Sequence, residues 1–246
     1  MLPTVIVVPC FNEAARLRPD GFGPLAEHPE IELLFVDDGS TDDTRRVLEG
    51  LAARWPRAHV LALPANGGKG EAVRRGMLDG LARGAACVGY LDADLATPAD
   101  EMLRLRDELL GAAGASAVLA SRVALLGRDI QRNPARHYLG RVFATTASVV
   151  LGLPVYDTQC GAKLFRRTPA LERALAEPFH SRWIFDVELI GRLAPGHGEP
   201  NGIIEVPVRV WHDVKGSKLR AREMARAAVE MARIGVELGR WRRRNP

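Results

Sequence analysis

Short aliphatic runs that alternate with helical patterns constrain this chain more than any other feature. The runs are Val5-Ile6-Val7-Val8, residues 31–36, Val60-Leu61-Ala62-Leu63, Val88-Gly89-Tyr90-Leu91 and Ala117-Val118-Leu119-Ala120. Between them residues 41–54, capped by Ser40 or Thr41, and residues 69–83 and 98–110 carry helical spacing. This is the sequence form of an α/β chain with a mostly parallel central sheet flanked by helices. Each run ends in polar or glycine-containing residues, and in such sheets ligands bind beyond the carboxyl ends of the strands. Past residue 125 the alternation weakens, although 135–151 and 182–193 read as helices and 203–210 as an extended run ending at Trp211. No linker-like stretch divides the chain, so one domain is expected over residues 1–220.

With 246 residues, 47% of them hydrophobic and 26% charged, the chain can bury a core of its own and is neither disordered nor fibrous. Its formal net charge of +4 is unevenly spread. Of 34 Lys/Arg and 30 Asp/Glu, ten and three fall in residues 215–246, leaving 24 and 27 before them. The body is slightly acidic and the tail cationic, and no nucleic-acid partner is expected. Cys10, Cys87 and Cys160 lack the spacing of a zinc site or a disulfide framework, which fits a reducing cytoplasm. No window reaches the ~18 uncharged apolar residues that would span a bilayer.

The tail repeats itself as Glu-Met-Ala-Arg-Ala-Ala-Val (223–229), Glu-Met-Ala-Arg-Ile-Gly-Val (230–236) and Glu-Leu-Gly-Arg-Trp (237–241). Met224, Ala227, Met231, Ile234, Leu238 and Trp241 form a 3,4-spaced stripe, with Arg226–Glu230 and Arg233–Glu237 as i,i+4 pairs. Residues 221–246 should therefore form a basic amphipathic helix. Two uses are open to it: the stripe lies in the surface of an anionic membrane, a peripheral contact, or it packs on the domain or on a second copy in a homo-oligomer.

Three constellations follow the strands. Pro9-Cys10-Phe11-Asn12-Glu13 and Val36-Asp37-Asp38-Gly39-Ser40-Thr41-Asp42-Asp43-Thr44 place carboxylates that can accept from ribose hydroxyls or a base N–H, with Gly39 allowing close backbone approach. The same residues also read as a capped strand-turn-helix. Asn66-Gly67-Gly68-Lys69-Gly70-Glu71 opens a helix, where free N–H groups and a lysine can cradle phosphate, or a plain turn suffices; the P-loop pattern is incomplete. Leu91-Asp92-Ala93-Asp94-Leu95 closes an apolar strand with two carboxylates one residue apart. Such a pair can share a hard cation, Mg²⁺ or Mn²⁺, completed by phosphate oxygens and water.

In order and spacing these motifs resemble the family 2 glycosyltransferases, whose Rossmann-like GT-A domain is thereby implied. Ala120-Ser121-Arg122, residues 157–165, 182–189 and 211–218 extend the resemblance to about residue 220, most closely to dolichyl-phosphate β-glucosyltransferases. The resemblance implies that Pro9, Phe11, Glu13, Asp37 and Asp38 surround the nucleoside of a nucleotide-sugar donor and that Lys69 lies near its pyrophosphate. It implies that Asp92 and Asp94 hold the metal and the ribose side and that Arg122 approaches the phosphates. Arg132 and Arg136 would bind an acceptor phosphate, or are solvated helix-end charges. Asp157, Gln159, Asp186 and Glu188 would lie on the acceptor side, Asp186 or Glu188 serving as a base if the acceptor is a soluble sugar or small alcohol. A polyprenyl phosphate acceptor would need no strong base. Mannose-transferring relatives often carry Gln two residues after the metal pair; Ala96 stands here, so glucose from UDP is the expected donor. A sugar-phosphate nucleotidylyltransferase would show a longer basic, glycine-rich loop after the first strand. The expected place of work is the cytoplasm, with peripheral contact at the inner membrane face.

Overall fold

The apolar runs become strands because helices cover their faces, completely at the centre of the sheet and partly at the edge formed by residues 58–62. In the computed structural model, which describes residues 3–131, 134–194, 202–213 and 221–245, with the backbone alone at 134–137 and 221–226, they form β1 (Thr4–Cys10), β2 (Ile31–Asp37), β3 (Ala58–Ala62), β4 (Cys87–Leu91) and β5 (Ala117–Ser121). Successive side chains on β1 go to opposite cores. Val5 and Val7 pack into one cluster with Leu34, Val36, Val73 and Met77, while Ile6 and Val8 join Leu33, Phe35, Leu48 and Met102 in the other.

The second cluster is covered by a short turn α1 (Gly23–Ala26), α2 (Thr44–Arg54) and α4 (Ala99–Gly111). The first is covered by α3 (Lys69–Ala82), α5 (Pro134–Leu151), α6 (Pro169–Ala176), α7 (Phe185–Leu193) and α8 (Ala221–Arg244). A methyl group at Gly76 of α3 would sit 2.5 Å from Val7 Cγ1, so glycine there lets the helix lie directly on the sheet.

Two further strands complete the main sheet, β7 (Ala162–Arg166) and β8 (Ile203–Pro207), in the order β3-β2-β1-β4-β7-β5-β8. All pairings are parallel except those of β7, which runs antiparallel between β4 and β5. A small second sheet pairs β6 (Asp129–Gln131) with β9 (Val210–His212). The mostly parallel, helix-flanked GT-A-like sheet is thus present, and the strand ends carrying the motifs share one edge.

Several local expectations are corrected. α2 begins at Thr44, and neither Ser40 nor Thr41 caps it; Ser40 Oγ accepts from Asn12 N at 3.1 Å and Thr41 N donates to Asn12 Oδ1 at 2.9 Å, stitching the first two loops together. Residues 182–184 precede the helix at α7, and the extended run 203–210 splits between two sheets. Four of the six stripe residues are not free to enter a membrane: Met231, Ile234, Leu238 and Trp241 are buried, the first three in the core shared with α5 and α7, while Ala227 is half-buried and the side chain of Met224 lies outside the described residues. A methyl at Gly191 of α7 would meet Leu238 Cδ1 at 2.4 Å, a measure of how closely α8 is seated. No helix among the described residues is long and apolar enough to cross a membrane.

Candidate active site

At the carboxyl edge of the sheet, β1 and β2 open into two loops held together by their own polar groups. Thr44 Oγ1 accepts from Glu13 N at 2.7 Å and from Ala14 N at 3.0 Å, and Asp37 Oδ1 accepts from Ser40 N at 3.0 Å. Pro9 is half-buried at the end of β1, and Phe11 is exposed on the lip. Gly39 has φ +67°, and a methyl there would come within 2.7 Å of the Ala65 and Asn66 backbone, so only glycine lets the second and third loops touch.

Asp38 sits differently from the expectation of direct nucleoside contact. It is buried, and its two carboxylate oxygens accept from Gly67 N and Gly68 N, each at 2.8 Å. These are the N–H groups that could have cradled a phosphate, so the glycine loop spends them on Asp38. Arg182 closes the same loop from above, donating through Nε to Gly67 O at 3.0 Å and through a terminal nitrogen to Asn66 O at 2.9 Å. Asp38 and Arg182 therefore shape the cleft, and Lys69, the next residue, is aimed by them.

Lys69 Nζ lies 2.6 Å from Asp92 Oδ1, above the rings of Tyr90 and Phe185 at 5.9 and 6.0 Å. Burial works against its charge, yet the carboxylates of Asp92, Asp186 and Asp94 outweigh that and hold its pKa above the usual lysine range. Asp92 N donates to Gly161 O at 2.9 Å, and a methyl at Gly161 would fall 2.1 Å from Asp92 Oδ2. The segment before β7 thus packs on Asp92, the first of the two aspartates expected to hold a metal.

Asp94 accepts from Ala96 N at 3.0 Å, and Leu95 takes a left-handed φ of +51° to turn the chain there. Burial, and then the charge of Asp92, push the Asp94 carboxyl upward; burial, with Asp94 and Asp42 adding to it, does the same to Glu13, against its ion pair with Arg16 at 2.6 Å. Carboxylates crowded in this way fit a cation. No group of three or more ligand side chains exists among the described residues, so a metal at Asp92 and Asp94 would draw its other ligands from substrate and water, as Mg²⁺ and Mn²⁺ commonly do.

Arg122, expected at the donor phosphates, and Asp157, Asp186 and Glu188, expected on the acceptor side, are held by other partners. Arg122 does not project freely toward phosphates: its Nε and a terminal nitrogen grip Asp157 at 2.6 and 2.8 Å, and its guanidinium lies 5.2 Å from the Trp211 ring centre. Asp157 is fully engaged by Arg122 and by Gln159 N at 3.0 Å; its own backbone N–H and that of Tyr156 donate to Glu205 at 2.9 and 2.7 Å. Asp186 is buried and accepts from Lys163 Nζ at 2.7 Å and from Tyr90 OH, so it is not a free base. Glu188 faces away from the cleft. It accepts from His180 N at 2.9 Å, pairs with Arg192 at 2.6 Å, and lines a water-sized cavity of ≈10 Å³ beneath α8. On a helix, residues two apart point in nearly opposite directions, which separates Asp186 from Glu188. Arg132 lies outside the described residues, and Arg136 stands on the first turn of α5 with its side chain outside them.

What does converge is a set of buried polar atoms without hydrogen-bond partners. Among the described residues they are Glu13 Oε2, Asp92 Oδ1, which faces Lys69 without an aligned hydrogen bond, Thr158 Oγ1 and Gln159 Nε2, besides Arg242 Nε in α8. Four of the five lie in loops at the carboxyl edge of the sheet. Buried polar atoms left unpaired cost free energy, and their gathering here marks where a polar ligand belongs. Sequence reading missed Tyr90, Lys163, Arg182 and Glu205. Lys163, a lysine inside an apolar alternation, was the legible hint.

Comparison with known proteins accords with this geometry. Residues 5–173 match the model of glycosyl transferase family 2. A dolichyl-phosphate beta-glucosyltransferase of Trichomonas vaginalis is 33% identical, covering 97% of this chain and 73% of that protein; another, from Dictyostelium discoideum, is 33% identical over 96% and 76%. A polyprenol monophosphomannose synthase of Mycolicibacterium smegmatis is 29% identical over 95% and 87%. Among solved structures, glucosyl-3-phosphoglycerate synthase from Mycobacterium tuberculosis in complex with UDP superposes at a TM-score of 0.67 over 96% of this chain and 80% of that one, with 22% identity; the same enzyme is known with Mn²⁺ and UDP.

Proposed function

Since the chain belongs to glycosyl transferase family 2, with that family's α/β fold, we propose that it moves a hexose, glucose first, from a UDP-sugar to a polyprenyl phosphate with inversion at the anomeric carbon. The observation that carries the acceptor class is the engagement of both candidate bases. Asp186 is bound by Lys163 and Tyr90, and Glu188 by Arg192 and His180. An alcohol acceptor needs a group to take its proton, whereas a phosphate monoester, with a second pKa of about 6, arrives largely ionised. The names of the relatives point the same way.

In this reading Glu13 and Asp37 face the nucleoside, Lys69 meets the pyrophosphate, and Asp92 and Asp94 hold a divalent cation. That cation would neutralise the departing diphosphate. The acceptor phosphate oxygen forms its bond to the anomeric carbon as the bond to the diphosphate breaks. Gln159 and Thr158, with unpaired buried atoms, orient the acceptor, and the Arg122–Asp157–Glu205 network fixes their loop. Positioning then accounts for much of the rate.

The test offers UDP-glucose or GDP-mannose, with Mg²⁺ or Mn²⁺, together with polyprenyl phosphate or a simple alkyl glycoside. Release of UDP with formation of a glucolipid is expected. Mannolipid from GDP-mannose would correct the donor, and transfer only to the glycoside would overturn the acceptor.

A further inference from the structure

The buried tail stripe leaves another surface unexplained, on the opposite sides of the same helices. Tyr138, Val142, Thr145 and Val149 of α5 are exposed at 4-3-4 spacing, one strip of the helix, while Ala144, Ala147 and Leu151 bury its other side. On α8, Val229, Ala232 and Val236 form a matching exposed strip opposite Met231, Ile234 and Leu238. The helices lie side by side: the Cβ position of Gly235 is 3.5 Å from Val150 Cγ1, and Arg242 donates to Leu151 O at 3.0 Å. Both strips therefore belong to one outer face.

We propose that this face is where the protein rests on an anionic lipid bilayer. The proposal deepens the reading of a lipid-borne acceptor and takes its purpose from it. Three features select lipid as the occupant. First, α5 contains no Asp or Glu, and the outer face of α8 adds Arg233, Arg240 and Arg243. The acids of the same stretch are engaged, Glu230 with Ser181 and Glu237 with Arg240 at 2.6 Å and His180 at 3.7 Å, which leaves Arg233 and Arg243, among the described residues, as the uncompensated charges of the face. This face complements anionic headgroups. A second copy in two-fold contact would set arginines against arginines with no acid on α5 to meet them.

Second, Thr145 and Thr146 turn their hydroxyls onto the carbonyls of Arg141 and Val142, at 2.9 and 3.0 Å. They satisfy themselves within the helix and offer methyl groups outward, which suits an apolar contact better than water. Third, the face adjoins the acceptor side. Arg141 of α5 stacks 3.8 Å from the Tyr156 ring centre and donates to Tyr156 O, one residue before Asp157.

Co-sedimentation with phosphatidylcholine vesicles, with and without phosphatidylglycerol, tests the surface. The full chain should bind the anionic vesicles, less at high salt. Replacing Arg233→Gln and Arg243→Gln together should weaken binding about 30-fold, from ~1 kcal/mol per basic residue, and Val142→Asp with Val149→Asp should abolish it. All variants should keep wild-type circular dichroism and wild-type turnover of a short, water-soluble isoprenyl phosphate. Vesicle binding without turnover of any polyprenyl phosphate would leave the docking surface standing and remove the acceptor reading. Failure of the full chain to bind anionic vesicles, or undiminished binding by the Val142/Val149 variant, would overturn the proposal. So would light scattering that shows a dimer which the same variant splits, with vesicles ignored.

Discussion

Asp94 bears a charge that its surroundings resist. Burial, then the neighbouring Asp92, raise its pKa above that of an unfolded chain. A carboxyl raised on folding adds stability only below its unfolded pKa, and that contribution is lost as pH rises through the folded value, so at neutral pH the ionised Asp94 strains the metal-free protein. Asp94→Asn should therefore melt no lower than the wild type without metal, gain nothing from Mn²⁺ plus UDP, and lose roughly 3 kcal/mol of transition-state stabilisation, on the order of 100-fold in turnover. Near-normal turnover by this variant would remove Asp94 from the metal site. Asp157 behaves oppositely. Burial alone would raise it, but the paired Arg122 brings it down to about 2 from 3.8. A depressed carboxylate contributes above its unfolded pKa and is lost as pH falls through the folded one, so about 2 kcal/mol should disappear between roughly pH 4 and pH 2. Urea titrations across that range measure it, and Asp157→Asn should remove the effect while being less stable at neutral pH because the half-buried Arg122 is left without its partner.

At the scale of elements, α8 is part of the core. Leu238, almost fully buried against Gly191 and Leu151, should cost about 2–5 kcal/mol on replacement by alanine, read by chemical denaturation, whereas Val236→Ala on the outer face should change stability by a few tenths. An unchanged midpoint for Leu238→Ala would mean that α8 is not seated. The tail also shows what sequence reading reaches. Its 3,4 spacing announced an amphipathic helix, but a stripe facing protein and one facing lipid have the same spacing, and only the position of α7 decides. β1, β2, β4 and β5 were legible because burial on both sides leaves nearly unbroken apolar runs, and the half-buried edge strand β3 by its Val60-Leu61-Ala62. β7 was not: its Lys163 breaks the run, and no local signal records that a strand will run antiparallel between β4 and β5. The place of Asp92 and Asp94 just past β4 was legible, while the engagement of Asp38 and Asp157 depends on partners as distant in sequence as Gly67 and Arg122.

For the whole molecule, the sheet edge brings loops from β1, β2, β4 and the segment before β7 to one place, and in the free chain Lys69 and Asp92 neutralise each other there. If the site takes a cation and a diphosphate as proposed, that contact would make the two interdependent. A cation arriving alone must compete with an ammonium for Asp92; a diphosphate arriving alone must draw Lys69 from its carboxylate. On the proposed reading, with both present Lys69 would turn to phosphate and Asp92 to the cation, and neither charge would be stranded. Their affinities should therefore be coupled by the same factor in both directions, typically 5–150-fold. Calorimetric titration of Mn²⁺ with and without UDP measures the factor, and equal affinity in both conditions would show that no such exchange takes place. Lys69→Met should bind Mn²⁺ alone more tightly than the wild type and lose most of the enhancement by UDP. The unliganded protein would then keep its metal site shut by an internal counter-ion, and the donor itself would be the key that opens it.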